Sequence, residues 1–348
     1  MDFTFTEDQL LFQESVRDFL RNEVTPERVR AGWDTESGRD AALWAQLAEL
    51  GLTGMTVPEA QGGLGMTAVD FVLLAEECGY VALPEPLVHT ALVAVPALQA
   101  VGGELAEKWL PEIAGGGAQV VVGLEQNVLV EDAHVADLLL LQQGDTLVAA
   151  ESDAVTLVRN ESVDPSRRLY QVSVTGEATV VARGDAAEGV AQQALNCGAL
   201  GAAAQALGLA QRMVDMSVQY TSERQQFGKP IGSFQAVKHH MANVAVRLEY
   251  AKAPVYRAAY ALAHGQPIAS RAVSHAKLVA CEAASLAARN SIQVHGAMGY
   301  TWEVDLHIFM KKAWALANTW GDAGFHKARV AEDIFAPGAA LGAGATFQ

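Results

Sequence analysis

Leu10, Phe12, Val16, Phe19 and Leu20 recur at helical spacing, and Thr6 followed by Gln9 is the signature of a capping box. A first amphipathic helix is predicted there, ending by Pro26. Leu43, Trp44, Leu47 and Leu50 repeat the period and stop at Gly51, after which V-P-E-A-Q-G-G-L-G (Val57 to Gly65) is turn chemistry. A third helix is predicted from about Thr67 to Cys78. Pro84 and Pro86 punctuate the next segment. Ala91 to Leu98 and Leu105 to Leu110 read as further helical pieces before Gly115-Gly116-Gly117. The first third of the chain is thus an all-helical unit.

From Gln119 the pattern shortens to β-rich runs: Val120 to Leu124, Ala136 to Leu141, Thr146 to Ala149, Val155 to Val158, Leu169 to Val174 and Ala178 to Val181. Gly144-Asp145 and Asp164-Pro165 separate some of them, which is the spacing of a small antiparallel sheet domain. Helical period returns near Asp185. Ala/Leu-rich runs at 190–222, 233–264, 268–291 and 304–334, joined by short loops, predict a four-helix bundle. The fold class is α+β, mostly α, with units at 1–117 (helical), 118–184 (β) and 185–348 (helical bundle).

Composition narrows the function. With 348 residues and 51% hydrophobic content, the chain can bury a sizeable core. Lys+Arg 24 against Asp+Glu 40 give a net charge of -16, which argues against a protein that tracks nucleic-acid phosphates. An anionic ligand would need local arginines. Cys78, Cys197 and Cys281 are odd in number and far apart, so neither a disulfide framework nor a zinc site is indicated. The acidic N-terminus lacks a signal-peptide pattern and the apolar runs are interrupted, so a soluble, cytoplasmic protein without a membrane span is expected.

The richest stretch for chemistry is Glu223 to Gln235, E-R-Q-Q-F-G-K-P-I-G-S-F-Q. Arg224 offers a permanently charged planar fork suited to a pyrophosphate, and Gly228, Pro230 and Gly232 restrict the turn that carries it. Alone, R-Q-Q-F-G reads as a helix-loop-helix corner. Together with P-E-A-Q-G-G-L-G, K-W-L-P-E-I-A-G-G and Q-V-H-G-A-M-G-Y-T, and with the helical, β, helical order, it resembles the acyl-CoA dehydrogenase family of flavoenzymes over nearly the whole chain.

That resemblance implies FAD as cofactor, a tetramer, and removal of the α and β hydrogens of an acyl-CoA thioester. Such chemistry needs a carboxylate base at the α-carbon, hydrogen bonds to the thioester carbonyl, and a flavin to accept the hydride. In the family the base is a glutamate at one of two places. Here the first falls on Trp320 in N-T-W-G-D and the second near Gly198 in L-N-C-G-A-L, so no catalytic carboxylate is assigned. Gly123 to Ala133 likewise lacks the family's ring-side T-E-P-like and G-S-D-like segments.

What the resemblance retains is the set that reaches the pyrophosphate and adenosine of a neighbouring subunit's FAD: Arg224, Gln226, Phe227, Gln235, Gln293, Gly296 and Gly299, with Ala297 in place of one glycine. The chain therefore resembles the non-catalytic subunit of heteromeric α2β2 bacterial acyl-CoA dehydrogenases. Implied partners are a homologous catalytic subunit, an acyl-CoA and an electron-transfer flavoprotein or similar acceptor. Two alternatives stay open: a self-sufficient homotetramer with a displaced base such as Asp322, and a flavin-free acyl-CoA-binding or scaffold protein.

Several residues have plainer readings. Trp320 plugs a vacated acyl pocket or is a core tryptophan. Asp322 is by default a helix cap, Glu303 and Asp305 are solvated first-turn charges, and His239, His240 and His295 are satisfied surface or interface histidines.

Overall fold

The computed structural model describes residues 4–340 and 342. Helix α1, Glu7–Glu23, starts at the predicted capping box, with Thr6 Oγ1 accepting from Gln9 N at 3.2 Å. Its buried stripe, Val16 and Leu20, packs toward α4, Ala68–Tyr80. Between them lie α2, Pro26–Trp33, and α3, Ala41–Glu49. The hydrophobic period does not reveal α2. Its signal is chemical, a Thr25 cap followed by Pro26 at the first helical position.

After α4 the chain runs through a short α5, Leu87–His89, a π-turn over Thr90–Ala94, α6, Val95–Val101, and α7, Gly103–Ala114. Pro96 cannot donate to the preceding turn, and Thr56 Oγ1 donates instead to the Ala91 carbonyl at 2.5 Å.

The β unit has seven strands: β1 Val120–Gly123, β2 Val130–Glu131, β3 Leu138–Gln143, β4 Thr146–Glu151, β5 Val155–Asn160, β6 Leu169–Val174 and β7 Thr179–Arg183. They form two sheets, ordered β1-β3-β4-β7 and β2-β6-β5. The unit is not purely antiparallel, because β1 and β3 pair in parallel. Parallel pairing requires a crossover, and the segment between them delivers β2 to the second sheet. Two-residue β2 is too short to show a period.

Helix α8, Asp185–Glu223, is the spine. A β-hairpin, β8 Gln225–Gln226 with β9 Lys229–Pro230, leads to α9, Gln235–Ala263, and then α10, Ala269–His295. Helices α8 and α4 touch backbone to backbone through glycines. A Cβ at Gly208 would lie 1.9 Å from Glu76 O, and one at Gly79 2.1 Å from Gln205 O. The predicted fourth bundle run is two helices, α11, Leu306–Ala317, and α12, Ala323–Ile334. The break is local: Trp320 and Gly321 adopt φ of 57° and 93°, and Asp322 caps α12 by accepting from Phe325 N at 2.8 Å.

Candidate functional site

The two positions singled out for a missing base meet in space. A Cβ built on Gly198 would stand 2.2 Å from the Trp320 indole, so the ring lies flat against the α8 backbone. Trp320 is buried, with its ring centroid 5.6 Å from that of His89. Its left-handed backbone is held from behind, where His326 Nε2 donates to the Trp320 carbonyl at 2.9 Å. Burial pushes the His326 imidazole down to about 4, so it is neutral near pH 7. Its Nδ1 then accepts from Ser274 Oγ at 3.1 Å, and Ser274 Oγ in turn accepts from Arg329.

Beside this stack remains a cavity of about 60 Å³, walled by Glu85, Glu131, Asp132, Asp164, Arg167 and Lys312 among others. The charges are ordered. Arg39 pairs with Asp132, Arg167 Nε donates to Glu131 at 2.8 Å, and Lys312 Nζ donates to the Leu83 carbonyl at 2.7 Å. Glu85 accepts from Asp40 N at 2.9 Å through Oε1, while its buried Oε2 has no protein partner. Burial drives the Glu85 carboxyl up to about 7, and Asp132 up to about 6 despite Arg39. Such a cavity suits a water or two and opposes an alkyl chain, which would strip these groups of solvent without replacing it. On the other face of Trp320, about 20 Å³ remains between His89, Val122, Leu129 and Thr319.

The C-terminal end of α8 is built differently. Arg224 is exposed, with an extended backbone that closes the helix, and its guanidinium meets no carboxylate among the described residues. Phe227 and Gly228 turn the hairpin with φ of 53° and 78°, the geometry of a tight two-residue loop. Phe227 pays a strain cost for that, and its ring is 90% exposed. It leans edge-on against Phe234 with centroids 6.1 Å apart, and Lys229 Nζ sits 4.4 Å from the Phe234 ring centre.

The C-terminus of α10 reaches this same end, where His295 stacks on Tyr220 at 4.4 Å and His240 Nδ1 contacts Asn290 Oδ1 at 2.5 Å. Gln226, Gln235 and Gln293 are exposed there, Gly296 ends α10 at φ 59°, and buried Gly299 packs on the Ile292 backbone. Tertiary structure thus gathers all seven sequence-predicted cofactor residues at one end of the bundle. Trp320 and Gly198 lie away from them, since Gly198 and Arg224 are separated by 26 helical positions, ~39 Å of helix.

Asp322 spends Oδ1 on the α12 cap. His295 is buried and satisfied by Ser291 O at 2.7 Å. Asp305 is not a free charge but pairs with Arg30 of α2. Glu85, His89, Lys312 and His326 escaped sequence reading, because each acquires its role only from segments far away in the chain.

Family models for the acyl-CoA dehydrogenase N-terminal and C-terminal domains match residues 6–117 and 188–335. Acyl-CoA dehydrogenase IpdE2 of Mycolicibacterium smegmatis is 33% identical over 331 residues, covering 95% of this chain and 100% of the relative. The chain belongs to the acyl-CoA dehydrogenase family, oxidoreductases that act on CH-CH bonds. The ChsE4-ChsE5 complex from Mycobacterium tuberculosis shares the fold at a TM-score of 0.87 and 23% identity, covering 97% of this chain and 100% of that one. The Tcur3481-Tcur3483 steroid ACAD does so at 0.83 and 23%, covering 94% and 97%. Among the described residues no helix is long and apolar enough to cross a membrane.

Proposed function

We propose that this chain is the accessory subunit of a heteromeric, FAD-dependent acyl-CoA dehydrogenase, organised as helical (1–117), β (118–184) and bundle (185–348) units. The observation that carries the reading is the Trp320 indole pressed onto Gly198. A carboxylate cannot stand at 198 without displacing the Trp320 ring, and at 320 the indole occupies the place a carboxylate would take. The chain's own ring site also fails to fit a flavin, since His89, Val122, Leu129 and Trp320 leave about 20 Å³ there.

The exposed end of α8 does fit the other half of the dinucleotide. Arg224 is free to pair with a pyrophosphate, Gln226, Gln235 and Gln293 present amides, Phe227 presents a ring, Gly296 keeps the approach clear, and Gly299 lets the turn behind it pack closely on the Ile292 backbone. Bound FAD supplies the hydride acceptor. This chain's part is to hold the nucleotide of a partner that carries the base, because its own pocket is ~39 Å of helix away. The assembly is an α2β2 heterotetramer, its substrate an acyl-CoA that includes steroid side-chain thioesters, and its acceptor an electron-transfer flavoprotein or similar carrier. Trp320 keeps the vacated acyl pocket of this subunit shut.

Flavin absorbance of the purified chain, alone and co-expressed with a homologous subunit, tests the reading. The chain alone is expected to be colourless and the complex to hold about one FAD per heterodimer. Full flavin occupancy and acyl-CoA oxidation by the chain alone would overturn it and make Asp322 the first residue to replace.

A further inference from the structure

The three cysteines stand in unequal surroundings. Cys78 and Cys197 are fully enclosed, and burial pushes both thiols up to about 12. Cys281 is half-buried and lines a cavity of about 360 Å³ between α10, α11 and α12. Leu278, Ala317 and Ala323 give that cavity apolar walls, and the exposed Glu282 and Lys327 also line it. Asp322 Oδ1 is spent on the cap of α12, and His326 is bonded through both ring nitrogens.

Lys277 lines the same cavity, one helical turn before Cys281 on the same face of α10. It is 2% exposed, and its Nζ donates to the Leu316 carbonyl and, at 3.4 Å, to Cys281 Sγ. The first contact has a structural account, since a cation at the C-terminal turn of α11 satisfies a carbonyl there. The second does not. A buried ammonium has three donors and is ordinarily answered by a carboxylate. Among the described residues Lys277 meets none, so one donor lacks a protein acceptor and another has only a sulfur.

No second thiol lines the cavity, so a disulfide there is not the resting place of an oxidised Cys281. The nucleophile beside it is Lys277 Nζ.

We propose that Cys281 and Lys277 form a peroxide-responsive modification site, in which oxidation of the thiol is followed by a covalent bond between Sγ and Nζ. In the first step Sγ attacks hydrogen peroxide. An S–O bond forms, the O–O bond breaks, and the other oxygen leaves as water with the thiol proton. Sulfur loses two electrons and the peroxide gains them. In the second step Nζ displaces the oxygen, so that an S–N bond forms and the S–O bond breaks. Of the ammonium's three protons, one leaves with the hydroxyl as water, one passes to solvent and one stays on nitrogen. The product is a sulfenamide, and a thiol reductant restores both side chains.

The bond draws Nζ toward Cys281 and away from the Leu316 carbonyl. Leu316 ends the helix that leads to Trp320, so the modification withdraws a hydrogen bond from the segment that carries the closing indole. Reduced flavin meeting dioxygen is a local source of peroxide, and that source rests on the proposed function. The paired side chains do not.

The full chain, purified alone, tests the site without flavin. After hydrogen peroxide and tryptic digestion without reductant, peptide 272–289 is expected to be uncleaved after Lys277 and lighter by the mass of two hydrogens. A thiol reductant is expected to restore both mass and cleavage. Cys281→Ser should abolish the shift, and Lys277→Arg, which keeps a donor for Leu316, should leave Cys281 carrying two or three oxygens. Oxygen added to wild-type Cys281 with Lys277 still cleaved would overturn the inference. So would a Cys281 left unmodified, or one consumed in a disulfide between two chains. Should Lys277→Arg fail to fold, the wild-type and Cys281→Ser digests decide alone. A chain that forms the bond yet retains no FAD with a homologous subunit sinks the clamp and leaves this site standing.

Discussion

Gly198, in the N-terminal half of α8, and Arg224, at its C-terminal cap, sit in opposite surroundings along one helix. At Gly198 every surface is occupied: an indole on the backbone, carboxylates matched to guanidinium and ammonium groups, and a histidine fixing a strained carbonyl from behind. At Arg224 the side chains stand in solvent, and Phe227 combines a left-handed backbone with an exposed ring. Folding free energy explains most of the first region, since burial and pairing reward the Trp320 ring, Asp132 and Glu131, with Glu85 the exception. It does not explain the second, where strain and exposed apolar surface persist without a partner inside the chain. A closed pocket beside an open set of polar and aromatic side chains is the arrangement that favours the proposed clamp.

Substitutions sharpen that contrast, beginning with the largest effect. Trp320→Ala should cost about 3–5 kcal/mol in chemical denaturation, because the ring fills space between α8 and His89 that cannot collapse. Gly198→Ala should destabilise by a few kcal/mol for the mirror reason, and Gly198→Ala/Trp320→Gly should recover part of that loss. Additive costs in the double variant would show that the two residues do not meet.

Glu85→Gln should separate from wild type with pH. Its folded carboxyl titrates at about 7 against an ordinary 4.5, so wild type has its full stability below about pH 4.5 and loses it as pH rises through 7. The amide keeps the contact from Asp40 N and cannot ionise. The variant should therefore be more stable by up to about 3 kcal/mol at pH 8 and equal to wild type at pH 4, read from denaturation midpoints across that range. Equal curves at both pH values would mean that the carboxylate is solvated.

At the exposed end, Arg224→Ala should leave the stability of the chain within about 0.5 kcal/mol and raise the FAD dissociation constant of the co-purified complex by about tenfold or more. Phe227→Gly should stabilise the free chain by about 1 kcal/mol by relieving its left-handed backbone, while weakening flavin retention. An arginine change that unfolds the chain and leaves flavin untouched would erase the difference between the two ends.

Much of this was legible in one dimension. The Thr6 box, the helical stripes of α1, α3 and α4, and most strands follow from periods of 3.6 and 2. The exposed end was legible because its residues come in two compact motifs around tight turns. The closed end was legible only as two absences, at positions 198 and 320. Its filling was not, because Arg39, Glu85, Asp132, Arg167 and Lys312 come from three separate units and none lies in a motif. The break at Trp320-Gly321 also ran against local preference, since only the packing of the indole and the His326 hydrogen bond hold a tryptophan at φ 57°.

Local order was therefore determined by the chain itself: which segments are helices or strands, where they are capped, and that no glutamate stands at positions 198 and 320, where the resemblance would place the base. Those properties depend on neighbours within a few residues. Only the tertiary structure decided that the Trp320 ring covers Gly198, that the seven residues of the proposed clamp share one end of the bundle, and that this end lies ~39 Å of helix from the closed pocket. Contacts between distant segments have no period to read, and they form only when a shared core draws those segments together.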